Sequence, residues 1–374
     1  MRDIIKRMKM YRVSTIIILS LIFLIAMNES LLCNIHKCNY DSSKEKPKYD
    51  LKLNSNKNFM TNSFSCSVTR GIPLPKEEDR GGHVGGIVEN TIIVSGGNRW
   101  SEDKTQKFFL KSTLIFENQQ WIEGPSLPLP MAYSMFSCDD TGLYVAGGTS
   151  DGVSMLKDVY VLRSLQKGAT WERLPDLPEA IGFGAGVILM GKFYVAGGLL
   201  NNGEKTSRMW ALDLNNVESG WSESKSIPGV PRYLHAMTVS GDFAYVIGGL
   251  AEGTPLTPLN EVFAFNYKEN NWSKQNDLSL KGYAWTAQPI DNKHILLTGR
   301  ADGQIHSDIW VVELNSMKMK KIGSLFIQST TSPLIKVEDD QWWVVGGEPD
   351  SNKNRTKETS IINITDNQYE NNNW

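Results

Sequence analysis

A pair of glycines at the end of an apolar segment recurs along this chain at nearly constant intervals. The second glycines of five such pairs are Gly97, Gly148, Gly198, Gly249 and Gly347. A sixth segment, ILLTG, ends at Gly299 and carries Thr298 in place of the first glycine, so that neighbouring copies lie 48 to 51 residues apart. Repeats of this length form units that each bury an apolar face against the next unit.

A tryptophan follows most of these glycines after 23 or 24 residues. The positions are Trp121, Trp171, Trp221 and Trp272, and Ile322 takes the same place in the fifth unit. Between glycine and tryptophan lies a short apolar segment such as DVYVL or EVFAF, and turn residues divide each unit into four short strands. Four-stranded sheets stacked around an axis form a β-propeller. The sequence therefore predicts an all-β, six-bladed propeller.

These landmarks resemble the kelch repeat family over about residues 64–374. The segment FSCSVTR, Phe64 to Arg70, occupies an outermost-strand position, because Val68 precedes Pro75 by the same seven residues that separate Trp121 from Pro128. We expect this segment to complete the sixth blade, whose other strands are C-terminal, and thereby to close the ring. Trp374 competes for the same place. The predicted propeller domain spans residues 63–374.

The first 62 residues differ in charge from the remainder of the chain. They hold 11 Lys or Arg and 5 Asp or Glu, a net charge of +6, against 28 basic and 36 acidic residues, a net charge of −8, in the body. Basic residues precede an uncharged run of 15 residues, Val13 to Met27. At about 1.5 Å per residue this run is shorter than the roughly 30 Å hydrocarbon core of a bilayer. Residues 1–30 are predicted to be a signal peptide or, alternatively, a signal anchor, and residues 31–62 a polar linker.

The leader predicts an exported protein, periplasmic or extracellular, that is tethered to a membrane only if the anchor is retained. The overall net charge of −2 excludes a dedicated nucleic-acid binder. The four cysteines lack the C-x-x-C spacing of zinc sites, so that neither a structural metal nor a cofactor is predicted.

Two blades carry an Arg-x-x-His pair at the start of the inner strand. The pairs are Arg80 with His83 and Arg232 with His235. They are interpreted either as blade-to-blade hydrogen-bonding groups or as ligand contacts. Counting back 13 and 16 residues from the first glycine gives Pro333 and Thr330 as the corresponding positions in the sixth blade.

Polar residues follow the glycines in three adjacent blades, 5, 6 and 1. They are Arg300, Glu348 and Asn98, and Arg99 lies next to the last of them. These loops, together with those between blades, are expected to converge on one face of the propeller around the central channel. We call it the loop face, and it is the predicted ligand-binding face.

A narrower resemblance is to exported kelch propellers of the sialic acid mutarotase, or N-acetylneuraminate epimerase, branch. The leader, six units of about 50 residues and the loop GGNRWSEDKTQKFFLKSTLIF at residues 96–116 are similar to that group. The resemblance implies exchange of sialic acid anomers by an acid/base group, with a guanidinium on the substrate carboxylate. That group places Glu after the blade 5 glycine and Arg six positions on, where this chain has Arg300 and His306. Glu348 and Arg355, one blade later, are an alternative pair.

The leading hypothesis is therefore an exported, mutarotase-like kelch propeller with Glu348 and Arg300 as catalytic residues. The predicted substrate-binding residues are Arg80, His83, Asn98, Arg99, Arg232, His235 and His306. The alternative is a non-catalytic propeller that binds a glycan or a protein. The net charge of −8 on the body disfavours an anionic sugar unless the arginines create a positive mouth.

Overall fold

A computed structural model describes residues 64–253 and 255–366, which form six antiparallel four-stranded sheets. The strands of each sheet, or blade, are called A to D from the channel outward. No helix within these described residues is long and apolar enough to span a bilayer. The predicted signal segment, the linker and Trp374 lie outside the described residues.

The strands have the following bounds in blades 1 to 6. The A strands are Val84–Val88, Met135–Asp139, Ala185–Leu189, Ala236–Ser240, Gly282–Pro289 and Leu334–Glu338. The B strands are Thr91–Ser95, Gly142–Ala146, Lys192–Ala196, Phe243–Ile247, His294–Ala301 and Gln341–Val345. The C strands are Thr113–Glu117, Val159–Leu162, Met209–Asp213, Val262–Asn266, Gln304–Glu313 and Thr359–Asp366. The D strands are Gln120–Glu123, Glu172–Leu174, Trp221–Ser224, Asn271–Lys274, Lys318–Ser324 and Phe64–Arg70.

Short additional elements lie in the connections. Two short hairpins pair Asn98–Trp100 with Lys107–Phe109 and Leu250–Ala251 with Thr257–Pro258. A further two-stranded sheet pairs Ile181–Gly182 with Leu199–Leu200, on either side of the A and B strands of blade 3. A 3-10 turn covers Val217–Ser219. The first hairpin belongs to blade 1 and lies on the loop face, where it contributes to the candidate site below.

The N-terminal strand completes blade 6, as the sequence predicts. Phe64–Arg70 is the outer strand beside Thr359–Asp366. Beyond the strand, the Gly71 amide donates a 2.9 Å hydrogen bond to the Thr359 carbonyl, and the Leu74 amide donates to Lys357 at 2.8 Å. Pairing of the two ends of the propeller in one blade satisfies a sheet edge that would otherwise be open to other chains.

The periodic tryptophans connect neighbouring blades. Each indole N–H donates to a backbone carbonyl in the connection that leaves the preceding blade. The pairs are Trp121 to Ile72 at 3.0 Å, Trp171 to Pro125 at 2.8 Å, Trp221 to Pro175 at 2.8 Å and Trp272 to Lys225 at 2.7 Å. Because an isoleucine side chain has no such donor, Ile322 in blade 5 cannot make this hydrogen bond.

The paired glycines end strand B in the left-handed conformation. In blade 2, Gly147 and Gly148 have φ of 61° and 93°. A Cβ at Gly147 would lie 2.2 Å from the Ile181 carbonyl oxygen, so that a side chain cannot fit between these blades. Blade 5 lacks the first glycine. Thr298 lies at that position within a longer B strand, whose pairing with strand C shifts register between Thr298 and Arg300.

A circle of hydrogen bonds surrounds the channel at the loop face. It is built by six residues, one per blade, with φ between 48° and 64°: Gly82, Tyr133, Phe183, Leu234, Ala284 and Thr331. All but one of them precede the A strand of their blade, and Ala284 lies within it. The amide of each of the first five donates to the carbonyl of the preceding member at 2.7 to 2.9 Å. The Thr330 hydroxyl donates to Ala284 at 2.8 Å and closes the circle. We call these six residues the inner ring; they line one end of a channel of about 380 Å³.

Blade 6 departs by one residue from the counted register. Ser332, not Pro333, packs against Gly347 as His83 packs against Gly97. The hydroxyl of Ser329, not that of Thr330, donates to the Gly346 carbonyl, at 2.8 Å. The cause is an extra residue in the A strand, where the pairing shifts between Lys336 and Glu338.

Candidate functional site

The two predicted arginines of the Arg-x-x-His pairs are buried inside their own blades. Arg80 is fully buried and donates to the carbonyls of Gly96 at 3.3 Å and Ser112 at 3.1 Å. Arg232 is also fully buried and donates to Gly248 at 3.2 Å and to the Glu261 carboxylate at 2.7 Å. These bonds satisfy the carbonyls of the glycine pairs, and both guanidinium groups are covered by protein.

The two histidines fill gaps between blades. A Cβ on Gly346 would lie 3.2 Å from the His83 ring, and one on Gly197 would lie 2.5 Å from the His235 ring, so each imidazole lies against the glycine pair of the preceding blade. Burial, together with the nearby Arg80, holds the pKa of His83 well below its ordinary value. Burial and the nearby Arg232 lower the pKa of His235 to about 3. Both rings are therefore neutral at physiological pH.

We expect the buried neutral histidines to make the fold sensitive to acid. The folded-state pKa of His235 is lowered to about 3, so the unfolded state binds a proton first as the pH falls below about 6.5. The stability that depends on a neutral ring is thus complete above pH 6.5 and is lost progressively below it. From pH 7.5 to 5, His235 should lower the free energy of unfolding by about 2 kcal/mol.

Urea unfolding of the wild type and of His235→Gln at both pH values measures this effect. The variant should lose that part of the pH dependence, whatever its stability at pH 7.5. An identical pH dependence in the two proteins would contradict the assignment of a neutral His235 ring.

A second group of side chains meets on the loop face between blades 6, 1 and 2. It comprises Asn98, Lys107, Tyr133, Glu348 and Arg355, which we call the mouth cluster. The Tyr133 hydroxyl donates to Glu348 Oε1 at 2.9 Å, and Arg355 Nη2 lies 3.3 Å from the same oxygen. Arg355 also donates to Asn98 Oδ1 through Nη2 at 2.8 Å, while Asn98 donates to Gly81 at 2.9 Å. Glu348 and Arg355, the alternative pair of the sequence, thus form an ion pair.

The electrostatics of the mouth cluster favour charged Glu348. Burial alone would raise the pKa of the Glu348 carboxyl, but Arg355, Lys107 and the hydrogen bond from Tyr133 hold it below its ordinary value. Burial lowers the pKa of the Lys107 amine to about 8. Burial and the adjacent Glu348 raise the pKa of the Tyr133 hydroxyl, which stays protonated. Perturbed groups of opposite charge in one opening are typical of functional sites.

Lys107 enters the mouth cluster from the blade 1 hairpin. Its Nζ lies 5.1 Å from the ring centre of Phe109, 5.2 Å from that of Tyr133 and 5.8 Å from that of Trp100. Lys353 contacts the same indole, 4.4 Å from its ring centre. Aromatic faces stabilise an ammonium group that has lost part of its water shell.

Arg300, in blade 5, lies apart from Glu348 and contacts a different tyrosine. Its guanidinium donates to the Tyr283 hydroxyl and lies 5.0 Å from that ring's centre. The residue is 8% exposed, and no carboxylate of the described part of the chain lies within 4 Å of its nitrogens. A buried cation that lacks a carboxylate partner is costly unless a ligand supplies the anion.

The remaining predicted residues, Arg99 and His306, contact side chains outside the mouth cluster. Arg99 lies over the Phe108 ring across the hairpin, 5.2 Å from its centre. His306 Nδ1 lies 3.7 Å from Asp308, and its ring packs edge-on against Trp310. Arg300 pairs with Ile305 on the neighbouring strand, next to His306, but the two side chains bond to different partners.

We call the part of the loop face around the channel the mouth. Its side opposite the mouth cluster is apolar. Tyr133 stacks on Phe183 with ring centres 4.5 Å apart. The stack continues into a cluster of side chains from blades 2 to 5, formed by Ala132, Tyr233, Leu250, Met155, Leu199, Leu234, Leu256 and Tyr283. The mouth therefore presents charges on the side of blades 6 and 1 and an apolar surface on the other side. Within the described residues, no group of three or more His, Cys, Asp or Glu could hold a metal ion.

Fold and site together define a β-propeller with a cluster of charged and hydrogen-bonded side chains on its loop face. Residues 187–373, half of the chain, match the KLHDC2/KLHL20/DRC7 Kelch-repeats domain. The chain belongs to the kelch-repeat family. A solved structure, titled "Structure of YjhT", superimposes with a TM-score of 0.63 over 79% of this chain and 98% of that one, at 17% identity, and shares the fold.

Curated relatives are similar over shorter segments. N-acetylneuraminate epimerase 1 of Escherichia coli is 28% identical over 158 residues, 40% of each chain. N-acetylneuraminate epimerase of Vibrio cholerae is 27% identical over 156 residues, 36% of this chain and 39% of that one. Mouse Kelch-like protein 35 is 26% identical over 227 residues, 60% of this chain and 36% of that one. The matched segments thus span about two fifths of the relatives' lengths.

Proposed function

We propose that this kelch propeller binds an acidic sugar at the loop face and accelerates the interconversion of its anomers. The observation that supports this most is the buried Glu348 carboxylate, which two cations and the Tyr133 hydroxyl hold ionised at the edge of the mouth. A carboxylate in this state accepts a proton from the anomeric hydroxyl as the ring opens. Similarity to relatives named N-acetylneuraminate epimerase supports a sialic acid as the substrate.

The guanidinium of Arg300 would bind the carboxylate of the sugar. Its buried guanidinium is bonded to Tyr283 and leaves Nε without a hydrogen-bond partner among the described residues. Because Nε itself is covered by protein, a carboxylate of the ligand would accept from the terminal nitrogens of the guanidinium. The apolar side of the mouth would contact the less polar face of the sugar ring.

NMR of freshly dissolved crystalline N-acetylneuraminate tests the proposal directly. With catalytic amounts of the protein we expect the anomers to equilibrate at least tenfold faster than in buffer, whereas neutral aldoses should equilibrate at the uncatalysed rate. Equal rates with and without protein for every sugar would refute the enzymatic function.

A non-catalytic binding propeller is the second candidate. It is favoured by the apolar half of the mouth and by the similarity to Kelch-like protein 35. In that case ligand binding is observed by saturation-transfer NMR, while the rate of anomer exchange stays at its value in buffer.

We propose further that the protein is exported, with the basic, apolar leader of residues 1–30 as its signal or anchor. Cell fractionation and N-terminal sequencing of the mature chain test this. Recovery of the intact chain from the cytosol would contradict it.

A further inference from the structure

The amine of Lys107 and the carboxylate of Glu348 both contact Tyr133. Lys107 Nζ lies 5.2 Å from the centre of the Tyr133 ring, and the hydroxyl of that ring is bonded to Glu348 at 2.9 Å. Phe109 and Trp100 complete the cage around the amine. The hairpin of Asn98–Trp100 and Lys107–Phe109 thus places an ammonium group against the tyrosine whose hydroxyl binds the carboxylate.

The ionisable groups around this amine come from blade 6 and, for Tyr133, from blade 2. Glu348 stabilises its positive charge, Arg355 opposes it, and the Tyr133 hydroxyl remains protonated. Lys353 lies over the indole of Trp100 and donates to the Lys104 carbonyl at 3.4 Å. An acid and a base of opposite charge at one opening are what ring opening of a sugar needs, since one oxygen gains a proton while another loses one.

We propose that Lys107 is the proton donor of the mouth cluster: its ammonium group gives a proton to the ring oxygen of the bound sugar, while Glu348 takes the proton of the anomeric hydroxyl. The inference rests on the proposed function. The bond between the anomeric carbon and the ring oxygen breaks, a carbonyl forms at that carbon, and the ring oxygen becomes a hydroxyl. Closure on the other face returns a proton from Glu348 to the carbonyl oxygen and one from the hydroxyl to Lys107, so that the protein is unchanged.

This assignment has a consequence for the dependence of the rate on pH. Burial, which is the largest effect, and Arg355 lower the pKa of Lys107 to about 8, against a smaller opposing effect of Glu348. The donor is therefore protonated at pH 7 and loses its proton above pH 8. The rate of anomer exchange should fall through this range, after subtraction of the uncatalysed rate.

Three variants of the full chain test the role of Lys107. Lys107→Gln should lower the protein-dependent rate at pH 7 about 100-fold, the order expected for loss of a general acid. Lys107→Arg should abolish the fall above pH 8, because a guanidinium keeps its proton there. Lys353→Gln, which removes the other lysine on Trp100, should change neither the rate nor the alkaline fall.

A second measurement is independent of activity. Competitive acetylation of the wild type, followed by mass spectrometry, should give a midpoint near pH 8 for Lys107 and protection of this amine by N-acetylneuraminate. The inference is overturned if Lys107→Arg keeps the alkaline fall, or if Lys107→Gln keeps the wild-type rate at an unchanged unfolding temperature. If the wild type accelerates no sugar, the proposed function is refuted and the inference with it, so the two failures are distinguishable.

Discussion

Replacement of Glu348 by Gln should lower the protein-dependent rate of anomer exchange by about 10² to 10⁴-fold. The amide keeps the size of the side chain and can still accept from Tyr133, but it cannot take up the proton of the anomeric hydroxyl. Because Glu348 is 6% exposed and paired with Arg355, its substitution also leaves a buried cation with less compensation. The rate is measured by NMR at pH 7, alongside the unfolding temperature.

The matched control is Glu204→Gln, an exposed carboxylate of the blade 3 loop on the same face. It should leave the rate unchanged. Glu348→Asp, which keeps the charge, should retain more activity than Glu348→Gln. Wild-type rates in a folded Glu348→Gln protein would remove this residue from the catalytic site.

Substitution of Gly147 by Ala should destabilise the propeller by about 2–4 kcal/mol, the sum of left-handed strain and overpacking. Gly147 has a φ of 61°, and its added Cβ would lie 2.2 Å from the Ile181 carbonyl oxygen, a backbone atom of the next blade. Since that atom belongs to a strand, relief requires the two blades to move apart. Urea unfolding measures the loss.

Gly168→Ala separates the two causes of this loss. Gly168 also has positive φ, 88°, but its added Cβ meets no atom within 4 Å. It should therefore cost only the backbone strain, about 1 kcal/mol. Equal losses in the two variants would show that contact between blades does not require glycine at position 147.

The sequence predicted the propeller well because its determinants repeat. Gly147 and Trp171 each have counterparts in other units, and each acts on the neighbouring blade: the glycine by close approach, the tryptophan by a bond to Pro125. Such signals survive in a single sequence. Counting failed only in blade 6, where an extra residue near Lys336 moves Ser332 into the place expected for Pro333.

The candidate site was harder to predict because its members do not repeat. Asn98 and Glu348 were found from their place after the glycines, and Arg355 was noted as a partner. Lys107 was missed, since its position in a hairpin gives no sign that it reaches across to a loop some 240 residues away in sequence. Its one local signal is the neighbouring Phe109. Arg80 shows the reverse case, a motif that fits ligand binding but is fully buried.

In the inner ring, backbone groups hold the structure together, while the side chains determine what a ligand contacts. Its members hold one another almost entirely through amides and carbonyls, and the six positions carry six different amino acids in one backbone conformation. Substitutions at the five non-glycine positions therefore alter what a visiting molecule contacts and leave the hydrogen bonds between amides and carbonyls available. Gly82 is the exception, since an added Cβ there would lie 2.6 Å from the Tyr133 ring. Tyr133, which belongs both to this ring and to the mouth cluster, is where relatives with the same frame would be expected to acquire different substrates.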